Sequence, residues 1–420
     1  MEMQALTDAS GCFASVEKIF DPSIRLRPVV VLSNNDGSVI AICPLAKKLG
    51  IPKFQPYFKV KWLLQKHNVV IRSSNYELYG DVSDKMMSVI ARFSDNTYQY
   101  SIDEAFSRFD NYEGIIKDWY QYGHEIRRTV WRECRMPVGV GFGHTLTLAK
   151  AANHGSKKLP DSDGVAVIDD EYSRKHILQQ MKLDDIWGIG RKLSVKLSLL
   201  GLKTGYDLAN RSPKSMRQQF GVTVERIVEE LNGVKCLSWD DVKSPKKEIF
   251  STRSHGQRIV NYHDLRKALT SHAVKVCNKA RLQHSLIKKL YIFASSSPHD
   301  DNYYTKSLIY EFPVATDNSL KIAAGISVVF DQIFLSGVNF YRCGVGAIEL
   351  ASKQFQQGDL FNVDKSNPIL MQCFDNINKR YGAGSIGIAS AGQTEKWNMK
   401  RHFLSPQYTT NWQHIPKIKC

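Results

Sequence analysis

The 420-residue sequence has no uninterrupted apolar run approaching the ~18–20 residues that a membrane-spanning helix needs, which excludes a transmembrane span. Its first residues, MEMQALTDAS, carry an early acid and no basic-then-apolar signal pattern. We therefore expect a cytoplasmic protein. Internal repeats and long low-complexity segments are also missing. The length is too great for one compact core and predicts about two to four domains.

Closely spaced cysteines are likewise missing. The eight cysteines lie far apart, none forms a Cys-x-x-Cys pair, and no histidine stands beside them at zinc-finger spacing. This spacing argues against a disulfide framework and against a structural zinc site. We expect most of these cysteines to be small buried hydrophobic residues.

Acidic residues are too few to balance the basic ones. The chain has 57 Lys and Arg against 41 Asp and Glu, a formal net charge of +16. Such an excess attracts polyanions, so nucleic acid is the leading candidate partner and an anionic membrane surface is the alternative. The excess is concentrated between residues 243 and 289, which contain twelve Lys or Arg and two acids.

Short β-type runs alternate with helical patterns over residues 1–170. The strand patterns are Ala5–Thr7, Val29–Leu32, Val39–Ile42, Tyr98–Phe106 and Val138–Phe142, and the helical ones are Cys12–Phe20, Leu45–Leu49 and Glu77–Phe93. Asn34–Gly37 predicts a hairpin turn. This part is expected to be a mixed α/β block with a mostly antiparallel sheet.

The remaining chain has three different patterns. Residues 171–242 have a helical pattern. Within 243–350, Leu290–Ala294 and Ser307–Phe312 follow the basic run as predicted strands. Residues 351–420 are rich in Gln, Asn and Ser and are expected to form a loosely structured tail with short ordered pieces.

Two adjacent acids, Asp103 and Glu104, stand in the apolar stretch YSIDEAF, and Asp8 closes the first predicted strand. Carboxylates from neighbouring strands suit Mg²⁺, and two such ions about 3.5–4 Å apart can activate an attacking oxygen and steady a leaving pyrophosphate. Because adjacent strand residues point to opposite faces, Asp103 and Glu104 share a site only at a strand end or an irregular turn. From spacing alone, solvated acids at a strand end are the commoner explanation.

SIDEAF, with Asp8 upstream and Val138–Gly141 downstream, resembles the Y-family of translesion DNA polymerases, and within it the UmuC type. Four further stretches carry the resemblance in order along nearly the whole chain. They are VVVLSNNDG (Val29–Gly37), SSNYELY (Ser73–Tyr79), DIWGIG (Asp185–Gly190) and KRHFLSPQYTT (Lys400–Thr410).

The resemblance implies an α+β multidomain fold, a right-hand polymerase with a ferredoxin-like palm, small fingers, a helical thumb with a helix-hairpin-helix, and an α/β little finger. We expect palm and fingers in residues 1–170, with the fingers at about 36–74. The thumb then covers 171–242, the little finger 243–350, and the tail 351–420.

The resemblance also implies roles for single residues. Asp8, Asp103 and Glu104 correspond to the catalytic, metal-binding carboxylates, and Ala9 adds its backbone carbonyl, so that two Mg²⁺ ions are the expected cofactors. Phe13 corresponds to the steric gate, an aromatic ring that excludes a ribose 2′-hydroxyl. Two lysines correspond to residues that contact the triphosphate, Lys47 in the fingers and Lys157 in the palm.

Two positions depart from the family pattern. Cys12 stands where an aromatic ring is usual, so the floor under the sugar is expected to be looser. Pro44 replaces a position that is often a tyrosine or a small residue. The metal ligands are intact.

Three segments are expected to bind DNA or a protein partner. Gly188 and Gly190 let backbone N–H groups approach a phosphate at a helix start, and Arg191 and Lys192 add charge; a simple turn is the alternative. The basic run at 243–289 corresponds to the little finger, which grips the duplex backbone. In the tail, Gln357, Leu360 and Phe361 fit the Gln-x-x-Leu-Phe pattern of peptides that dock on a bacterial sliding clamp.

The resemblance implies error-prone translesion DNA synthesis in the SOS response, by two-metal transfer of a nucleotide from a dNTP to a primer 3′-hydroxyl. The implied partners are primer-template DNA, the dNTP, a processed UmuD dimer, RecA and the sliding clamp. One alternative is a catalytically weak or inactive DNA- and clamp-binding accessory protein on a polymerase scaffold. Another is a nucleotidyl cyclase, which the basic run and the glycine hairpin disfavour.

Overall fold

The computed structural model of the chain describes residues 2–112, 114–159, 162–238, 245–355, 367–382, 384–392, 397 and 399–415. The chain divides into two compact units, the first Met1–Lys243 together with His402–Cys420 and the second Ser244–Arg401. Separate clusters of buried apolar side chains form their cores. In the described ranges, no helix combines the length and the apolar composition that crossing a bilayer requires.

The first unit contains a five-stranded and a three-stranded sheet. Its strands are β1 (Met3–Ala9), β2 (Val29–Leu32), β3 (Val39–Ile42), β4 (Val70–Ser73), β5 (Asn96–Gln99), β6 (Glu104–Phe109), β7 (Val138–Gly143) and β8 (Val165–Ile168). The larger sheet has the order β5-β6-β1-β7-β8, in which only β7 and β8 are parallel. The smaller sheet has the order β3-β2-β4. The predicted, mostly antiparallel sheet is thus confirmed.

The helices of the first unit include one that approaches the larger sheet very closely. In chain order they are α1 (Cys12–Phe20), α2 (Pro44–Lys48), α3 (Tyr57–Lys66), α4 (Tyr76–Ile90), α5 (Trp119–Cys134), α6 (Leu146–Lys158), α7 (Glu171–Gln180), α8 (Arg191–Leu199), α9 (Gly205–Ala209), α10 (Pro213–Phe220) and α11 (Val222–Leu231). A β-carbon on Gly141 of β7 would lie 2.0 Å from the backbone nitrogen of Asn153 in α6. Glycine in β7 is therefore required for the position of α6.

The second unit is a four-stranded antiparallel sheet with helices. Its strands are β9 (Ile249–Ile259), β10 (Ser285–Ser295), β11 (Thr305–Thr316) and β12 (Phe340–Ser352), in the order β11-β10-β12-β9. Its helices are α12 (Tyr262–Leu282), α13 (Ser319–Val329) and α14 (Pro368–Tyr381). The first six elements follow the order β-α-β-β-α-β, and the last strand, β12, lies between β9 and β10, so that the first β-α-β unit is split. The predicted strands Leu290–Ala294 and Ser307–Phe312 are confirmed inside longer ones.

Several predicted elements match closely, and one is wrong. Helix α1 and strands β2 and β3 have the predicted bounds. Tyr98–Phe106, predicted as one strand, is instead split into β5 and β6, because the chain reverses between Gln99 and Glu104. The reversal is stabilised by the Ser101 hydroxyl oxygen, which accepts from the backbone N–H groups of Asp103 and Glu104 over 3.2 Å each.

The C-terminal residues are more ordered than the sequence predicted. They include the 14-residue helix α14, whose Asp375 forms an ion pair with Arg281 of α12 at 2.6 Å. Residues 402–415 then pack within the first unit. The tail, expected to be loosely structured with short ordered pieces, contains these two ordered segments.

Candidate active site

Two carboxylates on adjacent strands form the centre of the site. Asp8 of β1 and Glu104, the first residue of β6, are direct cross-strand partners. Just beyond this pair, the backbone N–H of Ala9 donates to the carbonyl oxygen of Asp103 over 2.9 Å. The structure therefore brings all three predicted acids to the same end of two central strands.

Asp103 lies in the turn before β6, which resolves the difficulty that adjacent strand residues point to opposite faces. The Ser101 hydroxyl donates to Asp103 Oδ1 over 2.5 Å. The carboxylate of Asp103 is thus held by its own turn, while those of Asp8 and Glu104 lie side by side.

Each carboxylate of the central pair has a lysine partner from helix α6. Lys157 forms an ion pair with Asp8, and Lys150 Nζ lies 3.0 Å from Glu104 Oε2. Lys157 was predicted from the sequence, and Lys150 was not. The sequence signal that could have identified Lys150 is its spacing from Lys157, because residues seven apart on a helix lie two turns apart on one face.

Opposing effects act on the pKa of Asp8. Burial raises the pKa of the Asp8 carboxyl to about 6, Lys157 opposes this, and the neighbouring Glu104 adds to the rise. Burial also raises the pKa of the Cys12 thiol to about 12, with contributions from the charges of Asp103 and Asp8. Cys12 is therefore a neutral packing residue, and five of the seven described cysteines are buried, as predicted.

The donor set suits a hard divalent cation. Among the described residues, no three His, Cys, Asp or Glu side chains are grouped as a ready-made metal cluster. The carboxylates of Asp8, Asp103 and Glu104 nevertheless supply only oxygen donors, which Mg²⁺ prefers. The ammonium groups beside two of them mark places where positive charge is favourable. By its chemistry, this donor set fits magnesium.

A cavity of about 380 Å³ opens over the pair. The sheet and α6 contribute Asp8, Glu104, Lys150 and Lys157 to its lining, and the helical segment after β8 contributes residues that include Asp184, Asp185, Trp187 and Gly188. The carboxylates therefore border a space large enough to admit part of a ligand.

Lys150 is enclosed by aromatic rings. Its ammonium lies 4.5 Å from the ring centroid of Tyr100, 5.3 Å from that of Trp187 and 5.9 Å from that of Phe106. Rings around a cation stabilise it through their negative faces. Trp187 directly precedes the glycine turn, so this cluster connects the turn with Glu104.

Phe13, the predicted gate, is a half-buried residue of α1. Its ring stacks on that of Tyr79, with centroids 4.5 Å apart and planes at 18°, and meets Tyr76 edge-on at 6.0 Å. The preceding residue, Cys12, is buried. The ring of Phe13 is thus supported from α4.

The predicted triphosphate residue of the fingers lies on the short helix α2. Pro44 is its first residue, a position that proline favours because its ring presets a helical φ. Lys47 is exposed in the last turn of the same helix. Within the described residues, Lys150 and Lys157 form ion pairs with Glu104 and Asp8, whereas Lys47 does not.

The predicted DNA-binding turn has an open glycine at the start of a helix. Gly188 has φ +89°, and Gly190 is the N-cap of α8, with open space where a β-carbon would be. Arg191 and Lys192 are exposed. The turn lies between helices α7 and α8, as predicted, and directly follows the 3-10 turn Leu183–Asp185.

Several basic residues of the 243–289 run form ion pairs within the second unit. Arg281, Arg258 and Lys289 form ion pairs with Asp375, Asp300 and Glu349, respectively. Lys246, Lys247 and Lys279 are exposed. The number of basic residues therefore overstates the positive charge available to an external polyanion.

The predicted clamp peptide, with Gln357, Leu360 and Phe361, lies outside the described residues.

Comparisons with known proteins cover nearly the whole chain. Residues 7–154 match the impB/mucB/samB family, residues 246–360 match the C-terminal domain of that family, and residues 369–418 match a domain of unknown function, DUF4113. Protein UmuC of Salmonella typhimurium is 37% identical, with 99% of this chain and 100% of that protein covered. Protein MucB of Escherichia coli is 34% identical over 99% of both.

More distant proteins agree with this result. DNA polymerase IV of Bacillus velezensis is 24% identical over 90% of each chain. A solved insertion ternary complex of Dbh DNA polymerase superimposes with a TM-score of 0.55 at 19% identity, covering 83% of this chain and 99% of that one. This likeness confirms the predicted right-hand polymerase fold. The chain belongs to the impB/mucB/samB family and is a UmuC-type member of the Y-family of DNA polymerases.

Proposed function

We propose that the chain is a DNA-directed DNA polymerase that performs translesion synthesis by joining a dNTP to a primer 3′-hydroxyl opposite damaged template bases. The observation that carries the proposal is the carboxylate pair Asp8–Glu104 beside Asp103, bordering an open cavity in a Y-family chain. The primer oxygen attacks the α-phosphorus of the nucleotide, the bond to the β,γ-diphosphate breaks, and pyrophosphate leaves.

Asp8, Asp103, Glu104 and the carbonyl of Ala9 would hold two Mg²⁺ ions. When bound, these ions supply the Lewis acidity that favours ionisation of the primer hydroxyl and offsets charge on the leaving pyrophosphate. The protein side chains position the reactants. Lys157, now paired with Asp8, can pair with a phosphate oxygen instead, and Lys47 would do the same from the fingers.

DNA is held by backbone contacts, which carry no sequence information and so suit an enzyme that works anywhere. Gly188 and Gly190 would admit phosphates to backbone N–H groups, and Arg191 and Lys192 would add positive charge. We assign the palm and fingers to 1–170, the thumb to 171–242 and the little finger to 243–350. In the remaining tail, Gln357, Leu360 and Phe361 would dock on a sliding clamp.

A clamp tether raises the local concentration of the polymerase at a primer end. Changing Leu360 and Phe361 to Ala should therefore weaken clamp binding, and unaltered affinity would dismiss the docking peptide. We further propose that the chain acts in the SOS response with a processed UmuD dimer and RecA, and its 37% sequence identity to Protein UmuC supports this proposal.

The test is primer extension on a template with a single damaged base and on an undamaged control, with and without processed UmuD and RecA. Extension past the lesion supports the proposal. A chain that binds DNA but adds no nucleotide under any of these conditions would be the non-catalytic accessory protein. Formation of a cyclic nucleotide from a triphosphate without DNA would instead favour the cyclase alternative.

A further inference from the structure

The segment 402–415, which we call the C-terminal strap, lies within the part of the chain that matches a domain of unknown function. Its first residues pair with the smaller sheet of the first unit. The backbone N–H of Phe403 donates to Ser73 Oγ over 2.9 Å, and its carbonyl accepts from the N–H of Ser73 over 3.0 Å. The N–H of His402 donates to Asp36 Oδ2 over 2.8 Å. These bonds fix the start of the strap.

The middle of the strap reaches a buried carboxylate. Ser405 is 5% exposed and Glu17 of α1 is 2% exposed. The Ser405 hydroxyl donates to Glu17 Oε1 over 3.0 Å, and the Tyr79 hydroxyl donates to the same oxygen over 2.6 Å. Arg72 Nε lies 3.6 Å from the other carboxylate oxygen. A buried carboxylate needs such donors. Removing one of them therefore weakens the restraint on the Glu17 carboxylate and on its remaining donor.

Asn75 strengthens the same connection. Its side chain is the N-cap of α4, accepting from the N–H of Leu78, and its amide donates to Ser405 Oγ over 3.0 Å. Tyr79 is one turn further along α4. The strap therefore contacts both the beginning of α4 and, through Glu17, the hydroxyl of Tyr79.

Tyr79 carries the ring on which Phe13 stacks, at 4.5 Å between centroids. Tyr79 is fully buried, so its position is set by packing and by the bond to Glu17. A continuous set of contacts thus runs from Ser405 through Glu17 and Tyr79 to the predicted gate.

We propose that the C-terminal strap contributes to sugar selection, with Ser405 as a positioning residue that holds the Glu17–Tyr79 pair and, through it, the ring of Phe13. This inference rests on the proposed function, because it needs Phe13 to act as the steric gate. It assigns a role in nucleotide discrimination to a segment that lies more than 380 residues after α1 in the sequence.

The experiment measures the ratio of ribonucleotide to deoxyribonucleotide insertion by the full-length chain with its partners. Ser405→Ala removes one donor to Glu17, and Tyr79→Phe removes the other while keeping the stacked ring. Each is expected to raise the ratio by about threefold to tenfold, the range expected when one hydrogen bond is removed. The matched control is Thr409→Val, which removes a strap bond to the exposed Asp81 and does not contact the Glu17–Tyr79 pair.

The outcomes separate the two proposals. A higher ratio in Ser405→Ala and Tyr79→Phe, with Thr409→Val unchanged, supports the inference. Lower melting temperatures with unchanged ratios would make the strap a purely structural brace, and an equal rise in Thr409→Val would show general loosening; either result overturns the inference. If Ser405→Ala does not fold, Ser405→Cys replaces it, because a thiol keeps a side chain of similar size but is a weaker donor to Glu17. An unchanged ratio in that folded variant overturns the inference. A wild-type chain without dNTP insertion would instead refute the proposed function, and the inference with it.

Discussion

Lys150 forms an ion pair with Glu104, with Nζ 3.0 Å from Oε2, from within a group of three aromatic rings. Both side chains are mostly buried, at 17% and 19% exposure. Such a pair holds the Glu104 carboxylate beside Asp8 and offsets the repulsion between the two acids. The rings in turn restrict where the ammonium can lie.

Lys150→Gln should therefore destabilise the first unit by about 1–3 kcal/mol, since it leaves a largely buried carboxylate without its cation. The unfolding free energy and melting temperature measure this loss. Added Mg²⁺ should stabilise the variant more than the wild type, because a bound cation replaces the missing charge.

The matched control for this change is Lys158→Gln on the same helix. Lys158 is 54% exposed and pairs with Asp185 at 3.2 Å, so its removal should change stability by less than about 1 kcal/mol. Equal effects of the two substitutions, or equal magnesium responses, would contradict the role assigned to Lys150.

Replacing Arg191 and Lys192 together by Gln should weaken binding to duplex DNA of any sequence. If both cations pair with phosphates, the slope of log affinity against log salt should become shallower by about 0.9 for each phosphate that is no longer neutralised. Fluorescence anisotropy at several salt concentrations measures the slope. Lys203 and Lys214, exposed elsewhere in the same helical segment, provide a charge-matched double substitution that should leave the slope unchanged.

The second unit should lose stability as the pH falls below neutrality. Burial, with smaller contributions from nearby cations that include Lys275 and Arg253, lowers the pKa of His272 from its ordinary value of 6.5 to about 3. Between these values the unfolded chain binds a proton that the folded one does not, so the stability is present above pH 6.5 and is lost as the pH falls toward 3.

From pH 7 to pH 5, the loss from this one group is about 2 kcal/mol. Hydrogen exchange of α12, followed by mass spectrometry at several pH values, measures the opening of the unit. His272→Gln should make the stability of the second unit depend less steeply on pH. An equally steep dependence in the variant would show that other groups cause it.

Gly141→Ala should destabilise the protein strongly, by about 3 kcal/mol or more, because the added carbon meets the backbone of α6 rather than a movable side chain. Gly80 in α4 is the comparison, since a β-carbon there meets nothing within 4 Å. Gly80→Ala should raise stability by about 0.5–1 kcal/mol through helix propensity. Calorimetric melting curves distinguish the two, and a well-tolerated Gly141→Ala would contradict the close approach of α6.

The sequence could predict the parts of the site that depend on neighbours in the chain. Asp103 and Glu104 are adjacent, and Asp8 lies at the end of an apolar strand, so the three acids are identifiable without knowledge of the fold. The sequence indicated that Asp103 and Glu104 need a strand end or an irregular turn, but it did not place the reversal at Ser101. The β-type residues on both sides favoured one strand over Tyr98–Phe106, whereas the hydroxyl of Ser101 stabilises a reversal within it.

Contacts between distant segments could not be predicted in this way. The position of Lys150 depends on the packing of α6 against β7, and the three rings around it come from two separate segments, Tyr100–Phe106 and the turn at Trp187. The bond between Ser405 and Glu17 joins residues 388 positions apart. Ser405 and Glu17 have no local pattern that distinguishes them from ordinary surface residues, and Lys150 has only its seven-residue spacing from Lys157. Tertiary structure was therefore needed to identify their partners.

The most direct measurement is single-nucleotide insertion by the full-length chain and by Asp103→Ala, with Mg²⁺, a primer-template, processed UmuD and RecA present, together with the DNA affinity of both. We predict that the wild type extends the primer and that Asp103→Ala abolishes extension while its DNA affinity stays within about twofold. Undiminished extension by Asp103→Ala would contradict the assignment of these carboxylates as the catalytic centre.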